Sequence, residues 1–327
     1  MAKIAIVEKQ PSRIKYEQYF NFDFDQYQLC SDPKVKRILK SHTDIEIDTD
    51  SYDWLVLVGS EPVKHFTSVN SVQEYSGKKV DKKYLPVISP AMLAFKPEAK
   101  KAWEESLESI HGYISGEIED VIITSDIAFG IQDTEEANKF IKEAIKHPCP
   151  HIALDSETTG LYPRDGYMLG ISLSFDGKCG AYIDTDCFDD TTEQLLQQLF
   201  TKKTVVFHNA KFDMAFFEYH FKFEFPNFED TMLLHYLVDE NPGGHGLKQL
   251  AIKHTQYGDY EKPMYEWIDQ YRKEHGVLKD QFTWDSIPFD IMKTYAAMDA
   301  LVTFILYEKL LVVKKNEKLK KVYEEIL

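Results

Sequence analysis

Five side chains in this sequence have the types and spacing to build a divalent-cation site: Asp155, Glu157, Asp213, Tyr295 and Asp299. The first two close the stretch His151-Ile-Ala-Leu-Asp-Ser-Glu-Thr-Thr-Gly160, whose opening residues read as a short buried strand. Side chains at i and i+2 of an extended segment point the same way, so both carboxylates aim at one place. Two like charges held together near a core repel and are costly to desolvate. A cation between them removes both penalties. Thr158, Thr159 and Gly160 then break the strand into a turn. Taken alone, Asp-x-Glu is common and also describes a solvated strand end, so the case depends on partners elsewhere in the chain.

Two further segments offer such partners. Asn209-Ala-Lys-Phe-Asp213 follows the β-branched strand Thr204–His208 and opens an amphipathic helix over Lys211–Phe221. Asp213 falls in the first turn, where the helix dipole favours a carboxylate, and Asn209 stands where it could cap the helix. Tyr295-Ala-Ala-Met-Asp299 lies on a late helix, and residues four apart project together. An aromatic and an acid on one helix face also describe an ordinary surface. Here Ala296, Ala297 and Ala300 let the helix approach a sheet closely, which sets Asp299 against the strand end carrying Asp155.

The composition bounds what these residues serve. At 327 residues and 43% hydrophobic content, the chain has room for two domains with real cores and is not disordered. No run approaches the ~18 apolar residues of a membrane span. The start, Met1-Ala-Lys-Ile-Ala-Ile-Val-Glu8, lacks the apolar core of a signal peptide. Cys30, Cys149, Cys179 and Cys187 show no C-x-x-C spacing, so reduced thiols in a cytoplasm are expected. The net charge of −16 is uneven: residues 1–110 hold 16 Lys/Arg against 17 Asp/Glu, and residues 111–327 hold 22 against 37. So acidic a second part argues against a long electrostatic groove for a polyanion, although cations at an acidic site supply local positive charge. His208, His235, His245 and His254 have no convincing zinc spacing with a third ligand, so packing or phosphate contact is expected of them.

In chain order, Lys3–Val7, Asp53–Gly59 and Leu85–Ser89 read as strands, with a basic helical patch at Lys34–Lys40 and a helix at Glu98–His111. This alternation predicts a small α/β layer structure over residues 1–115. Residues 116–133 read as a linker, of which Val121–Thr124 could add a strand to either neighbour. A helix over Thr134–His147 opens a second domain, residues 134–327, and Pro148 and Pro150 stop it. Ile152–Leu154, Tyr167–Asp176 and Gly180–Thr185 predict an antiparallel meander turned at Asp176-Gly177. A helix at Thr192–Phe200, the Thr204–His208 strand and helices near 229–239, 246–254, 263–275 and 288–313 follow. Meander, strand–helix crossover, then helices is a ribonuclease H-like pattern: an α/β fold with a mixed sheet and flanking helices.

Two resemblances add to this. Asp155-x-Glu157, Asn209-x-x-x-Asp213 and Tyr295-x-x-x-Asp299, in that order, resemble the three exonuclease motifs of the tyrosine-bearing DEDD superfamily. The likeness is to the 3′–5′ proofreading exonuclease domain of family A DNA polymerases and covers about residues 134–327, with further matches at Asp230-Thr-Met-Leu-Leu-His-Tyr, His245-Gly-Leu-Lys-Gln-Leu-Ala and Phe282-Thr-Trp-Asp-Ser-Ile-Pro. It implies two Mg²⁺ or Mn²⁺ ions held by Asp155, Glu157, Asp213 and Asp299, water oriented by Tyr295, and removal of nucleoside 5′-monophosphates from single-stranded or frayed DNA 3′ ends. Thr158 and Leu161 would then meet the terminal nucleotides, Leu161 as a wedge, and Asn209, Phe212 and Trp284 would contact the terminal nucleotide. It also implies a polymerase domain as partner, fused or separate, a bacteriophage setting and the host cytoplasm. Alternatives are a non-catalytic binding or scaffold part, or an RNase D-like enzyme acting on RNA.

Residues 3–112 resemble the uracil-DNA glycosylase superfamily in their order of strand, Pro-containing loop, strand ending in Gly59, and Val87-Ile-Ser-Pro-Ala-Met-Leu93 before a final helix. The family's histidine before proline is here Ser89 before Pro90, and its acidic, glycine-rich loop is here Glu8-Lys-Gln-Pro-Ser12. Those departures imply a catalytically silent relative.

Overall fold

A computed structural model describes residues 2–32, 34, 43–69, 71–118, 121–240 and 244–325. The chain divides after Val121 into two compact units. The basic patch expected at Lys34–Lys40 lies, apart from Lys34, outside the described residues.

The first unit holds strands β1 (Ile4–Glu8), β2 (Asp25–Gln28), β3 (Trp54–Val58) and β4 (Tyr84–Val87), in the sheet order β2-β1-β3-β4. All its neighbouring pairs are parallel. Helices α1 (Ser60–Phe66), α2 (Val72–Tyr75) and α3 (Lys100–Ser115) accompany it. The inner strands are apolar on both faces because both faces are covered. Ile4, Ile6, Val56 and Val58 pack with Trp103 and Ile110 of α3, while Ala5, Val7, Leu55 and Leu57 pack with Val63 of α1. Strand β2 was not expected. Asp25-Gln-Tyr-Gln has no apolar run and pairs along one side only, as polar edge strands do.

The second unit begins with strand β5 (Ala128–Ile131), helix α4 (Thr134–Lys146) and the meander β6 (His151–Thr158), β7 (Met168–Ser174) and β8 (Gly180–Asp184). Helix α5 (Asp190–Lys202), strand β9 (Thr204–Phe207), helix α6 (Ala210–Phe221) and strand β10 (Phe228–Asp230) follow. Helices α7 (Thr231–Val238), α8 (Leu247–His254), α9 (Lys262–His275), α10 (Phe289–Lys315) and α11 (Glu317–Glu325) complete it. The sheet order is β10-β9-β6-β7-β8-β5, with β6–β7 and β7–β8 antiparallel and the other pairs parallel. This is the expected ribonuclease H-like mixed sheet.

Three local differences from the sequence expectation matter. The strand looked for at Val121–Thr124 forms instead at Ala128–Ile131, so residues 122–133 belong to the second unit. Ala128 and Ile131 are buried there, and Phe129 meets Phe140 edge-on at 5.6 Å. Strand β6 runs on through Thr158, held by β7, so the two acids lie within the strand rather than beyond it. Helix α10 rests on the sheet across two glycines. A Cβ on Gly180 would lie 1.9 Å from the Ala297 carbonyl oxygen, and one on Gly130 would lie 2.4 Å from the Phe289 ring. The small residues of α10 and the missing side chains of β5 and β8 together bring Asp299 down to the sheet.

Candidate active site

The site forms where two parallel strands part. Strand β6 pairs with β9 only over His151–Ala153 and then continues beside β7 alone. Asp213, in the first turn of α6, fills the gap. Its Oδ1 accepts from the Ser156 backbone N–H at 2.9 Å and from the Ser156 hydroxyl at 2.6 Å. A register shift between Glu157 and Thr158 ends the regular pairing. Such crevices beyond the carboxyl ends of strands are where α/β sheets place their ligands.

Asp155, Glu157 and Asp299 each bring a carboxylate oxygen to within 4.8 Å of the others. Glu157, Asp213 and Asp299 are buried and Asp155 is half-buried. The Tyr260 hydroxyl donates to Asp299 Oδ1, and the Tyr295 hydroxyl helps hold down the proton affinity of the same carboxylate. Trp284 lies beside Tyr295, with ring centroids 6.3 Å apart. Glu261, next to Tyr260, is a further buried acid near the cluster, and Lys248 pairs with it at 3.6 Å.

Burial is the largest cause of proton affinity in all four acids; repulsion from the other acids of the cluster adds to it in Asp155, Glu157 and Asp299, and repulsion from Asp230 in Asp213. Asp155 and Glu157 are held well above the usual carboxylate range. Asp213 is pushed up to about 7 despite the Ser156 hydrogen bonds, and Asp299 up to about 8 despite Tyr260. Burial among these charges also raises the Tyr295 phenol well above its ordinary value, so it stays protonated. Glu157 Oε1 is buried with no hydrogen-bond partner. An orphaned carboxylate oxygen within an all-oxygen donor set suits a hard divalent cation.

The remaining expected residues fall around this cluster. Thr158 ends β6 and its hydroxyl donates to the Gly160 carbonyl at 2.9 Å. Leu161 is 77% exposed on the following loop. Phe212 packs partly on Phe216, with centroids 5.2 Å apart. Asn209 stands at the N-cap of α6 but does not cap it with its side chain. It adopts the left-handed conformation, φ 73°, which asparagine tolerates better than most residues. Asp230 supplies the cap instead, accepting from the N–H groups of Asn209 and Ala210 at 3.1 and 2.9 Å. The Asn209 side chain itself is exposed. The histidines pack as expected. His208 Nδ1 meets Thr231 Oγ1 at 2.8 Å, burial lowers the His208 pKa to about 4, and His235 Nδ1 meets His245 Nδ1 at 2.8 Å. Ser156, Tyr260 and Glu261 escaped sequence reasoning. Ser156 sits between the two acids and so had a positional signal, whereas nothing in the spacing of Tyr260 or Glu261 ties them to the motifs.

A family described as 3′–5′ exonuclease matches residues 129–313, from β5 into α10. A DNA polymerase of Escherichia phage T5 is 39% identical in an alignment taking in 99% of this chain. The chain belongs to the 3′–5′ exonuclease family of family A DNA polymerases. Membership in this exonuclease family implies dependence on a divalent metal, and the acidic cluster lies inside the matched residues. The chain spans 40% of the length of the T5 polymerase. It is also 24% identical to a DNA polymerase of Bacillus phage SP01, over 86% of this chain and 34% of that one. Among solved structures, Brucella melitensis NrnC bound to pGG is similar at a TM-score of 0.43 and 18% identity, over 61% of this chain and 87% of that one. No helix among the described residues is long and apolar enough to cross a membrane.

Proposed function

We propose that residues 134–327 remove nucleoside 5′-monophosphates from single-stranded or frayed DNA 3′ ends, as the proofreading part of a replicative polymerase in a phage-infected cytoplasm. One observation carries the chemistry: three acids from β6 and α10 converge within 4.8 Å, and one of their buried oxygens has no partner. Asp155, Glu157 and Asp299 would hold one Mg²⁺ or Mn²⁺, and Asp155 with Asp213 a second. Bound there, the cations supply charge that stabilises the attacking and leaving oxygens of an in-line displacement at phosphorus. The chain's own residues prepare that displacement. Ser156 orients Asp213, and Tyr260 orients Asp299. Tyr295 keeps its proton and so orients the water as a neutral phenol, not as a base. Thr158 and Leu161 meet the terminal nucleotides, Leu161 as a wedge, and Asn209, Phe212 and Trp284 contact the terminal nucleotide by stacking or hydrogen bonding, of which stacking tolerates every base. A mismatched end frays more readily and enters such a site more often.

For the first unit we propose a silent, uracil-DNA glycosylase-like module that contacts DNA or the polymerase. Ser89 before Pro90 offers no imidazole after β4. The test of the main proposal is hydrolysis of labelled single-stranded DNA and RNA of one sequence with Mg²⁺ or Mn²⁺. Monophosphate release from the DNA 3′ end, lost in Asp155→Ala and Asp299→Ala, supports it; inactivity with both metals overturns it.

A further inference from the structure

Loop 162–165 and the outer face of α6 enclose a cleft of about 600 Å³, lined by Tyr162, Arg164, Ala215, Tyr219 and Lys222 among others. Its two tyrosines are 67% and 49% exposed, an unusual outlay of aromatic surface with no core to serve. Lys222, left-handed at the end of α6, donates to the Tyr219 carbonyl at 3.1 Å and holds its ammonium 5.7 Å from the Tyr219 ring. Arg164 is exposed and makes no ion pair among the described residues. Asp165 and Glu218 also line the cleft, so its charges cancel. That neutrality is itself distinctive in a region holding 22 Lys/Arg against 37 Asp/Glu.

Two elements run from the cleft toward the candidate active site. Loop 162–165 follows Leu161, and α6 carries Asp213 in its first turn. Lys211, Ala215, Glu218 and Lys222, spaced three or four apart, form one exposed stripe of that helix. From Asp213 to Lys222 the helix rises about 13 Å, the span of roughly four stacked nucleotides at ~3.4 Å each.

We propose that this cleft is a second nucleic-acid subsite, which holds the single strand several nucleotides upstream of the scissile end. Bases stack on Tyr162 and Tyr219, and Arg164 and Lys222 receive backbone phosphates. The inference rests on the exonuclease assignment. It explains how so acidic a unit retains a polyanion: the strand follows a path whose charges cancel and whose surface is aromatic.

The test measures kcat/KM of the full chain with Mg²⁺ on single-stranded DNA of two, four, six and ten nucleotides. In the wild type kcat/KM rises with length up to about six nucleotides. In Tyr162→Ala, Tyr219→Ala and Arg164→Ala the ratio of ten-nucleotide to two-nucleotide kcat/KM falls about 10-fold, chiefly through KM. Arg164→Ala also flattens the salt dependence of KM on the long substrate by about 0.7 in the log–log slope, as expected for one lost phosphate contact. A wild type that cleaves dinucleotides and ten-mers equally well overturns the inference and leaves the exonuclease assignment standing. So does an unchanged length ratio in all three variants, which assigns the cleft to a protein contact instead. A wild type that cleaves neither substrate overturns both.

Discussion

Each unit of this protein buries a glutamate at the carboxyl end of a central strand, and the two are built in opposite ways. Glu8 ends β1 and is 4% exposed. Both its oxygens are satisfied by neutral donors: the Tyr16 hydroxyl at 3.0 Å and the Gln26 amide at 2.7 Å. Glu157, near the end of β6, is 6% exposed, and its Oε1 has no partner. Its nearest charges are other acids, with Asp299 and Asp213 foremost. A buried acid whose lone pairs are all engaged is a structural element. A buried acid left unsatisfied among acids is a binding site, because only a cation or a proton makes the arrangement tolerable.

The largest test of this contrast is catalytic. Asp155→Ala should lower the rate of DNA hydrolysis by at least ~10²–10³-fold, the scale of deleting one preorganised electrostatic group. Glu8→Gln should leave that rate at the wild-type level. Tyr260→Phe removes the hydroxyl that donates to the carboxylate of Asp299. It should cost about 10- to 100-fold in activity or metal affinity, as loss of an outer partner of a metal ligand does. A wild-type response of the variant to metal concentration would remove Tyr260 from the account.

The two glutamates should also exchange roles in stability. Glu8→Leu removes the acceptor of both hydrogen bonds, leaves the Tyr16 hydroxyl and the Gln26 amide without it, and should destabilise the metal-free protein by about 1–3 kcal/mol in denaturant unfolding. Glu157→Gln removes a charge the fold holds poorly and should raise the metal-free Tm at pH 8. The smallest effect is the pH dependence. Unfolded carboxylates titrate near ~4, whereas Asp213 and Asp299 titrate near about 7 and about 8 in the fold. Raised folded-state values mean that their contribution to stability is full below pH ~4 and is lost as pH rises through 7 to 8. The metal-free Tm should therefore fall from pH 5 to pH 8, and the gain in Tm on adding Mg²⁺ should grow over the same interval. A gain that is independent of pH would contradict this linkage.

Much of the site was legible because its acids lie in three short, regularly spaced segments. The i, i+2 geometry of Asp155 and Glu157 survives in β6, and the alanines of α10 do admit close packing. The complementary half of that packing, Gly180 and Gly130 on the sheet, has no signal until the helix is laid across it. Tyr260 reaches Asp299 across 39 residues of sequence, and Asp230 caps α6 across 20, so neither has a local pattern to betray it. The strands that went unforeseen, β2, β5 and β10, are short edge strands. Each has a polar, glycine-containing or acidic sequence, because an edge requires little buried apolar surface.

The central claim is that the four clustered acids bind divalent cations while the satisfied glutamate of the first unit does not. Titration calorimetry with Mn²⁺ at pH 8 tests it most directly. Two bound ions are expected in the wild type and in Glu8→Gln, and loss of binding in Asp155→Ala and Glu157→Gln. Absence of Mn²⁺ binding in the wild type, or binding that survives Asp155→Ala, would contradict it.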